Sequence, residues 1–422
     1  MIKFNSNYNV VIKNFAYLSI LKGLDIGLPL LIIPYLTHVL GTSYFGKYSF
    51  VLAVIQTINI FTSYGYVFSA TKKISQNRND KEMVNRIMNA VFAGRFIVAT
   101  SIVVIVAMLS NVIFKDEYEW FMFLTAIGMI YGDIFVPTWL FQGLEQMKYV
   151  TIVNAIAKLL FTLLVFVVVT QQQDYKYILM LNSFGCIVSA IFSMALVKRM
   201  FKLHLSMPCW SAVCEELKDG FSIFLSTIGM SVYRNLNVII LNYFVSSSAV
   251  GIYALAEKVI KALQSLINPI SQALYPHFGY RMKESVNRKS DLHSLFKIAA
   301  FLAVLLVLAS LMLYFLTDYI GYVVGHDFTG SAHIINIMLP VVVFGCLNYL
   351  LGFVGLVNMD KQRYFLSSVV LSGTIAIVVL LCTVNVFGIK SAAWAMSISE
   401  ILLFALCFTK LLYEFTSKSD FA

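Results

Sequence analysis

Ten ionisable side chains fall within long apolar runs of this 422-residue chain: the cations Lys22, Arg95, Lys158, Arg234, Lys258 and Lys261, and the acids Asp25, Asp133, Glu257 and Glu400. Charge is costly in hydrocarbon, so such groups face a bundle interior or a watery cavity. The cations outnumber the acids by two, a balance that suits an anionic ligand. Arg binds phosphate oxygens bidentately and Lys binds them as a point charge. Lys158 and Arg234 have no acid within four residues on their own helix. Each needs a partner from another helix, from water or from a ligand. Lys22, Lys158, Arg234, Lys258 and Lys261 form the candidate cationic binding set. Asp25, Asp133, Glu257 and Glu400 are the candidates for exchanging a proton or sodium ion. Lys22 with Asp25, and Glu257 with Lys261, share helix faces by their spacing. Ion pairs that only fix helix packing are therefore the competing reading. Arg95 is placed near enough to a helix end to extend its head to the interface.

The elements that must position these residues are membrane helices. The chain is 59% hydrophobic and 12% charged, against about 45–50% and about 25% in soluble domains. A crossing needs about 20 apolar residues. About twelve such runs are present, at approximately 14–40, 46–71, 87–114, 119–141, 148–170, 176–199, 219–245, 249–278, 294–317, 331–357, 364–386 and 391–413. The first run reads as a span rather than a cleavable leader. With the amino terminus inside, cytoplasmic segments carry 21 Lys and Arg, and outside loops only four, Lys47, Lys115, Lys176 and Lys390. This is the positive-inside pattern, and it puts both termini in the cytoplasm. The net charge of +10 follows from these short linkers, not from a nucleic-acid surface. Gly23, Gly27, Pro29 and Pro34 lie in the first span and predict a bent helix.

The two halves look related. Residues 36–48 (LTHVLGTSYFGKY) and 241–253 (LNYFVSSSAVGIY) share Leu, Gly and Tyr at an offset of 205. Residues 141–147 (FQGLEQM) and 353–359 (FVGLVNM) share Phe, Gly, Leu and Met at an offset of 212. The expected architecture is all-α and polytopic, with about twelve helices in two six-helix bundles, 1–205 and 206–422, related as parallel repeats with a cleft between them. Motifs of soluble enzymes (Walker A, HExxH, GxSxG) are missing. The six histidines lack metal-ligand spacing. Of the six cysteines, four lie in apolar runs and Cys209 and Cys214 lie in a linker placed in the cytoplasm, so no disulfide is expected.

Three stretches resemble a known family. Residues 30–50 (LLIIPYLTHVLGTSYFGKYSF), 137–154 (PTWLFQGLEQMKYVTIVN) and 251–278 (GIYALAEKVIKALQSLINPISQALYPHF) resemble the Wzx-type polysaccharide flippases of the multidrug/oligosaccharidyl-lipid/polysaccharide exporter superfamily. The resemblance implies a bacterial inner-membrane carrier that is not an enzyme. Such a carrier moves undecaprenyl-pyrophosphate-linked O-antigen or capsule repeat units from the cytoplasmic to the periplasmic leaflet. It also implies a cationic cavity, coupling to an H+ or Na+ gradient with no other cofactor, and work beside a polysaccharide polymerase and a chain-length regulator. Glu257 and Lys258 match the family's eighth helix. One departure is at 233–237 (YRNLN), where Asn237 replaces an acid common in relatives. A multidrug or toxin exporter is the first rival, and the surplus of positive charge argues against cationic drugs. A membrane polysaccharide polymerase is the second, and the short outside loops argue against it.

Overall fold

The structure is a computed structural model. It describes residues 4–267, 270, 271, 274, 275, 278 and 288–416, with only the backbone described for parts of the first helix and for most of 222–234. The helices in chain order are α1 (Phe4–Ser63), α2 (Tyr66–Gln76), α3 (Lys81–Met108), α4 (Ser110–Ile113), α5 (Glu117–Ile134), α6 (Thr138–Gly143), α7 (Met147–Val168), α8 (Ile178–Met200), α9 (Trp210–Phe244) and α10 (Ser247–Ser265). After these come α11 (Arg288–Leu316), α12 (Ile320–Val324), α13 (Gly330–Asn348), a π-helix (Tyr349–Val357), α14 (Gln362–Phe387) and α15 (Ile389–Thr416).

Among the described residues, nine helical stretches are long and apolar enough to cross a membrane. The first, Gly23–Ser63, covers two expected spans, because α1 leaves helical geometry at Gly41 (φ 68°, ψ 177°). Expected span seven falls on α9, where most side chains of 222–234 are not described, and expected span eight begins on α10 and continues beyond residue 267 into partly described residues. Apolar side chains are displayed outward in numbers that water would not tolerate. On α11, Phe301, Val304, Leu308, Met312 and Phe315 are all exposed. Lipid is their solvent, and the protein is a multi-pass membrane protein.

Local chemistry sets the helix ends. Asp80 accepts a hydrogen bond from the Met83 amide at the start of α3, and Asp116 accepts one from the Glu119 amide at the start of α5. These are side-chain caps for donors that the helix itself leaves open. Lys198 and Arg199 occupy the last turn of α8, where the helix dipole favours cations.

The chain forms two compact units. One comprises residues 1–40 and 47–235, the other 41–46 and 236–422. In the first unit α8 packs closely on two neighbours. An added Cβ at Gly132 would lie 2.9 Å from Cys186, and one at Gly185 would lie 2.6 Å from the Ala157 carbonyl oxygen. Small residues let membrane helices approach in this way. In the second unit, side chains bridge neighbouring helices. The Ser397 hydroxyl donates to the Ile337 carbonyl (2.8 Å), and the Gln264 amide donates to the Val341 carbonyl (2.9 Å).

The two repeat matches have different outcomes. Thr42 and Gly46 meet Ser247 and Gly251, their counterparts at the offset of 205, within the second unit. An added Cβ at Gly46 would fall on the Ser247 carbonyl, and one at Gly251 on the Thr42 carbonyl, so the contact is reciprocal. The Thr42 and Ser248 hydroxyls lie 2.6 Å apart beside it. The second match is out of register. In the first unit the Gln146 amide donates to the Phe141 carbonyl, with Glu145 at φ 58°. The same turn recurs where Lys361 donates to Leu356, with Asp360 at φ 59°. The structural offset is therefore 215, not 212. The wider turns of the π-helix take up extra residues and shift Phe353–Met359 relative to the turn.

Candidate functional site

In the first unit, charge is neutralised between helices. Lys158 on α7 pairs with Asp25 on α1, so the partner that its own helix lacks comes from a residue distant in sequence. Arg95 is a correction to the sequence reading. It does not extend to the interface but is buried in the middle of α3. Its guanidinium donates to the Asp133 carboxylate (2.6 Å) and to the carbonyls of Thr62 (3.2 Å), Asp133 (3.1 Å) and Ile134 (3.5 Å). Those carbonyls belong to the last turns of α1 and α5. Both helices stop inside the apolar region, at Tyr64–Gly65 with positive φ and ahead of Pro137. A helix end leaves acceptors open, and a buried cation suits its negative pole. Arg95 thus seals two interrupted helices together.

The first unit also holds an ion-pair network outside the spanning stretches. Lys73 on α2 lies 2.7 Å from both Glu216 and Asp219 on α9. Burial pushes the Glu216 carboxyl up, and Lys73 only partly offsets this. For Lys73 burial pulls down, but its bonds to Asp219 and Glu216 win and the ammonium is held above its ordinary value. Lys73, Asn77, Arg86, Ala212, Glu215 and Glu216 line a cavity of about 260 Å³. This is below the roughly 300–1,000 Å³ of pockets that enclose drug-sized ligands.

The second unit arranges charge differently. Glu257, buried on α10, pairs with Lys261 one turn on, at 3.1 Å. Lys258 lies over the Phe45 ring, 5.9 Å from its centre. Glu400 on α15 is buried and takes a hydrogen bond of 2.7 Å from the side-chain amide of Asn348 on α13. Asn237 donates to the Tyr253 hydroxyl at 3.2 Å.

The side chains of Lys22 and Arg234 lie outside the described residues. The described intramembrane charges are Arg95, Lys158, Lys258 and Lys261 against Asp25, Asp133, Glu257 and Glu400, and they balance. The positive surplus therefore rests on Lys22 and Arg234. Sequence reading missed Lys73 with Glu216 and Asp219, and it missed Asn348. The signal for the first was a basic and an acidic cluster at two helix ends on the same expected side. An Asn in an apolar run was the signal for the second. Among the described residues, no three His, Cys, Asp or Glu side chains gather as a metal site. All six cysteines are free.

The chain is 26% identical to the "Putative O-antigen transporter" of Escherichia coli (strain K12) over 416 residues, 95% of this chain and 97% of that protein. It is 29% identical to a protein of the same name from Shigella dysenteriae over 270 residues, 63% and 67% of the two chains. Among solved structures, the inward closed conformation of the lipid II flippase MurJ shares the fold with a TM-score of 0.74 at 12% identity, covering 95% of this chain and 87% of that one. An inward-facing multidrug resistance transporter of the MATE family has a TM-score of 0.72 at 11% identity, covering 92% and 97%. The polysaccharide biosynthesis protein family matches residues 11–282, and the chain belongs to that family.

Proposed function

We propose that this protein is a flippase for an undecaprenyl-pyrophosphate-linked oligosaccharide repeat unit, carrying it from the cytoplasmic to the periplasmic leaflet by alternating access. The observation that carries the reading is similarity along nearly the whole chain to a protein named as an O-antigen transporter, with charged residues inside apolar helices. The prenyl tail stays in lipid while the charged head enters a wet path. Lys22, Arg234, Lys258 and Lys261 offset the pyrophosphate charge, with Lys158 held ready by Asp25. Fixed cations act strongly where little water screens them.

Return of the empty carrier is coupled to H+ or Na+, with Asp25, Asp133, Glu257 and Glu400 as the exchanging groups. The protein is not an enzyme. It lies in a bacterial inner membrane with both termini cytoplasmic, as the distribution of Lys and Arg supports, and it delivers substrate to a polymerase governed by a chain-length regulator.

Replacement of Arg234 by Ala in a strain dependent on this protein tests the reading. Surface polysaccharide is expected to fall to background while membrane protein level is kept, with partial recovery in Arg234→Lys. Wild-type polysaccharide in Arg234→Ala removes this residue from the path. Drug efflux without polysaccharide export by the wild-type protein overturns the substrate class.

A further inference from the structure

The linker between α8 and α9 is held as an extended strap. Lys202 turns the chain with φ 54°, the Leu203 amide closes back on the Val197 carbonyl (3.3 Å), and Leu203 is buried. Two asparagines one turn apart on α3 then pin the next residues. Asn85 accepts from the His204 amide at 2.8 Å. Asn89 accepts from the Ser206 amide and donates to the His204 carbonyl, both at 3.0 Å, as a neighbouring β-strand would. Asn89 is itself buried.

This fixed backbone displays large apolar side chains. Leu205, Met207 and Trp210 are 59%, 100% and 64% exposed. Around them Lys198, Arg199, Lys202 and Lys218 are exposed, with Arg86 beside them on α3. The nearby acids are Glu82 and Glu215, both exposed, and Glu216 and Asp219, both engaged by Lys73. The strap also sits at a definite depth. It begins where the stretch ending at Met200 stops, and Asn85 and Asn89 lie about 6 and 12 Å from the start of α3 at about 1.5 Å per residue.

We propose that the strap, residues 202–210, lies in the headgroup layer of the membrane that holds the helices. Leu205, Met207 and Trp210 enter the upper acyl region, while Lys198, Arg199, Lys202 and Lys218 meet the phosphates of anionic lipids. An amphipathic indole favours this level, and basic side chains beside it are drawn to a negatively charged leaflet. The Asn85–Asn89 clamp fixes the depth at which α9 begins. This inference is independent of what the protein carries.

The test is fluorescence of the full chain in mixed phosphatidylcholine–phosphatidylglycerol vesicles, with the Trp210 contribution taken as the difference between wild type and Trp210→Phe. Trp210 is exposed, so this variant is expected to keep the wild-type unfolding temperature. The Trp210 contribution is expected to be quenched by lipids brominated near the headgroup and shielded from iodide. Quenching is expected to be stronger with brominated phosphatidylglycerol than with brominated phosphatidylcholine. Combined Lys198→Gln, Arg199→Gln and Lys202→Gln substitutions remove that difference. A Trp210 contribution quenched by iodide and untouched by either brominated lipid overturns the proposal. Equal quenching by both lipids in the wild type overturns the role given to the basic residues.

Discussion

The two units hold their intramembrane acids with different partners, although at the edge of the second Lys361 also reaches Glu414 across helices. In the first, an acid and a base come from different helices: Asp25 with Lys158, Asp133 with Arg95, Glu216 and Asp219 with Lys73. Charge there ties helices together, and it cannot be removed without loosening a joint. In the second, Glu257 and Lys261 are neighbours on one helix, and Glu400 is met by a neutral amide. The first unit's pairs brace helix to helix, whereas Glu257 is met from its own helix and Glu400 by an amide.

The largest effect that would break this contrast is expected at Arg95. Arg95→Met leaves the buried carbonyls at the ends of α1 and α5 without their donor. At about 1–3 kcal/mol for each acceptor left open, the summed cost is expected to be the largest of this set, seen as a lowered unfolding temperature in detergent. Asp133→Asn should cost only about 1 kcal/mol, because its carboxylate is half-exposed and an amide oxygen can still accept. Equal losses in the two variants would show that the ion pair, not the sealing of helix ends, is what matters.

Lys73→Met is next, at about 1–3 kcal/mol for stranding a buried carboxylate. Its pH dependence has a definite sign. A carboxyl raised by burial favours folding below its unfolded value and loses that contribution as pH rises through its folded value. Lys73, held above its ordinary value, contributes from acid pH up to its own titration. Without the ammonium the Glu216 carboxyl rises further, so the loss should be larger at about pH 8 than at about pH 5. The reverse order in thermal unfolding would contradict the burial assigned to Glu216.

The smallest expected change is Glu400→Gln. The amide keeps a hydrogen bond with Asn348 and mimics the protonated acid, so stability should shift by less than about 1 kcal/mol. If Glu400 is an exchanging group, transport should lose its dependence on the ion gradient. A destabilisation comparable to that of Arg95→Met would erase the distinction between the units.

Much of the framework was legible before any coordinates. Apolar run length marks membrane helices because no other backbone geometry meets its own hydrogen bonds in lipid. The repeat at Gly46 and Gly251 was legible because a close helix crossing excludes a Cβ, and so leaves glycine as a trace in sequence. The repeat at Phe141 and Phe353 misled, because a π-helix absorbs residues without an obvious compositional mark.

The sequence by itself determined the solvent and the approximate spans, since these depend on composition and on spacing along one helix. Only the tertiary structure decided the partners. Arg95 meets helix ends 33 and 39 residues away, Lys158 meets Asp25 across 133, and Asn89 reaches Ser206 across 117. Helical periodicity reports neighbours within one turn. Neighbours on other helices are set by packing, and packing was what turned Arg95 from a side chain expected at the interface into the buried cap of two broken helices.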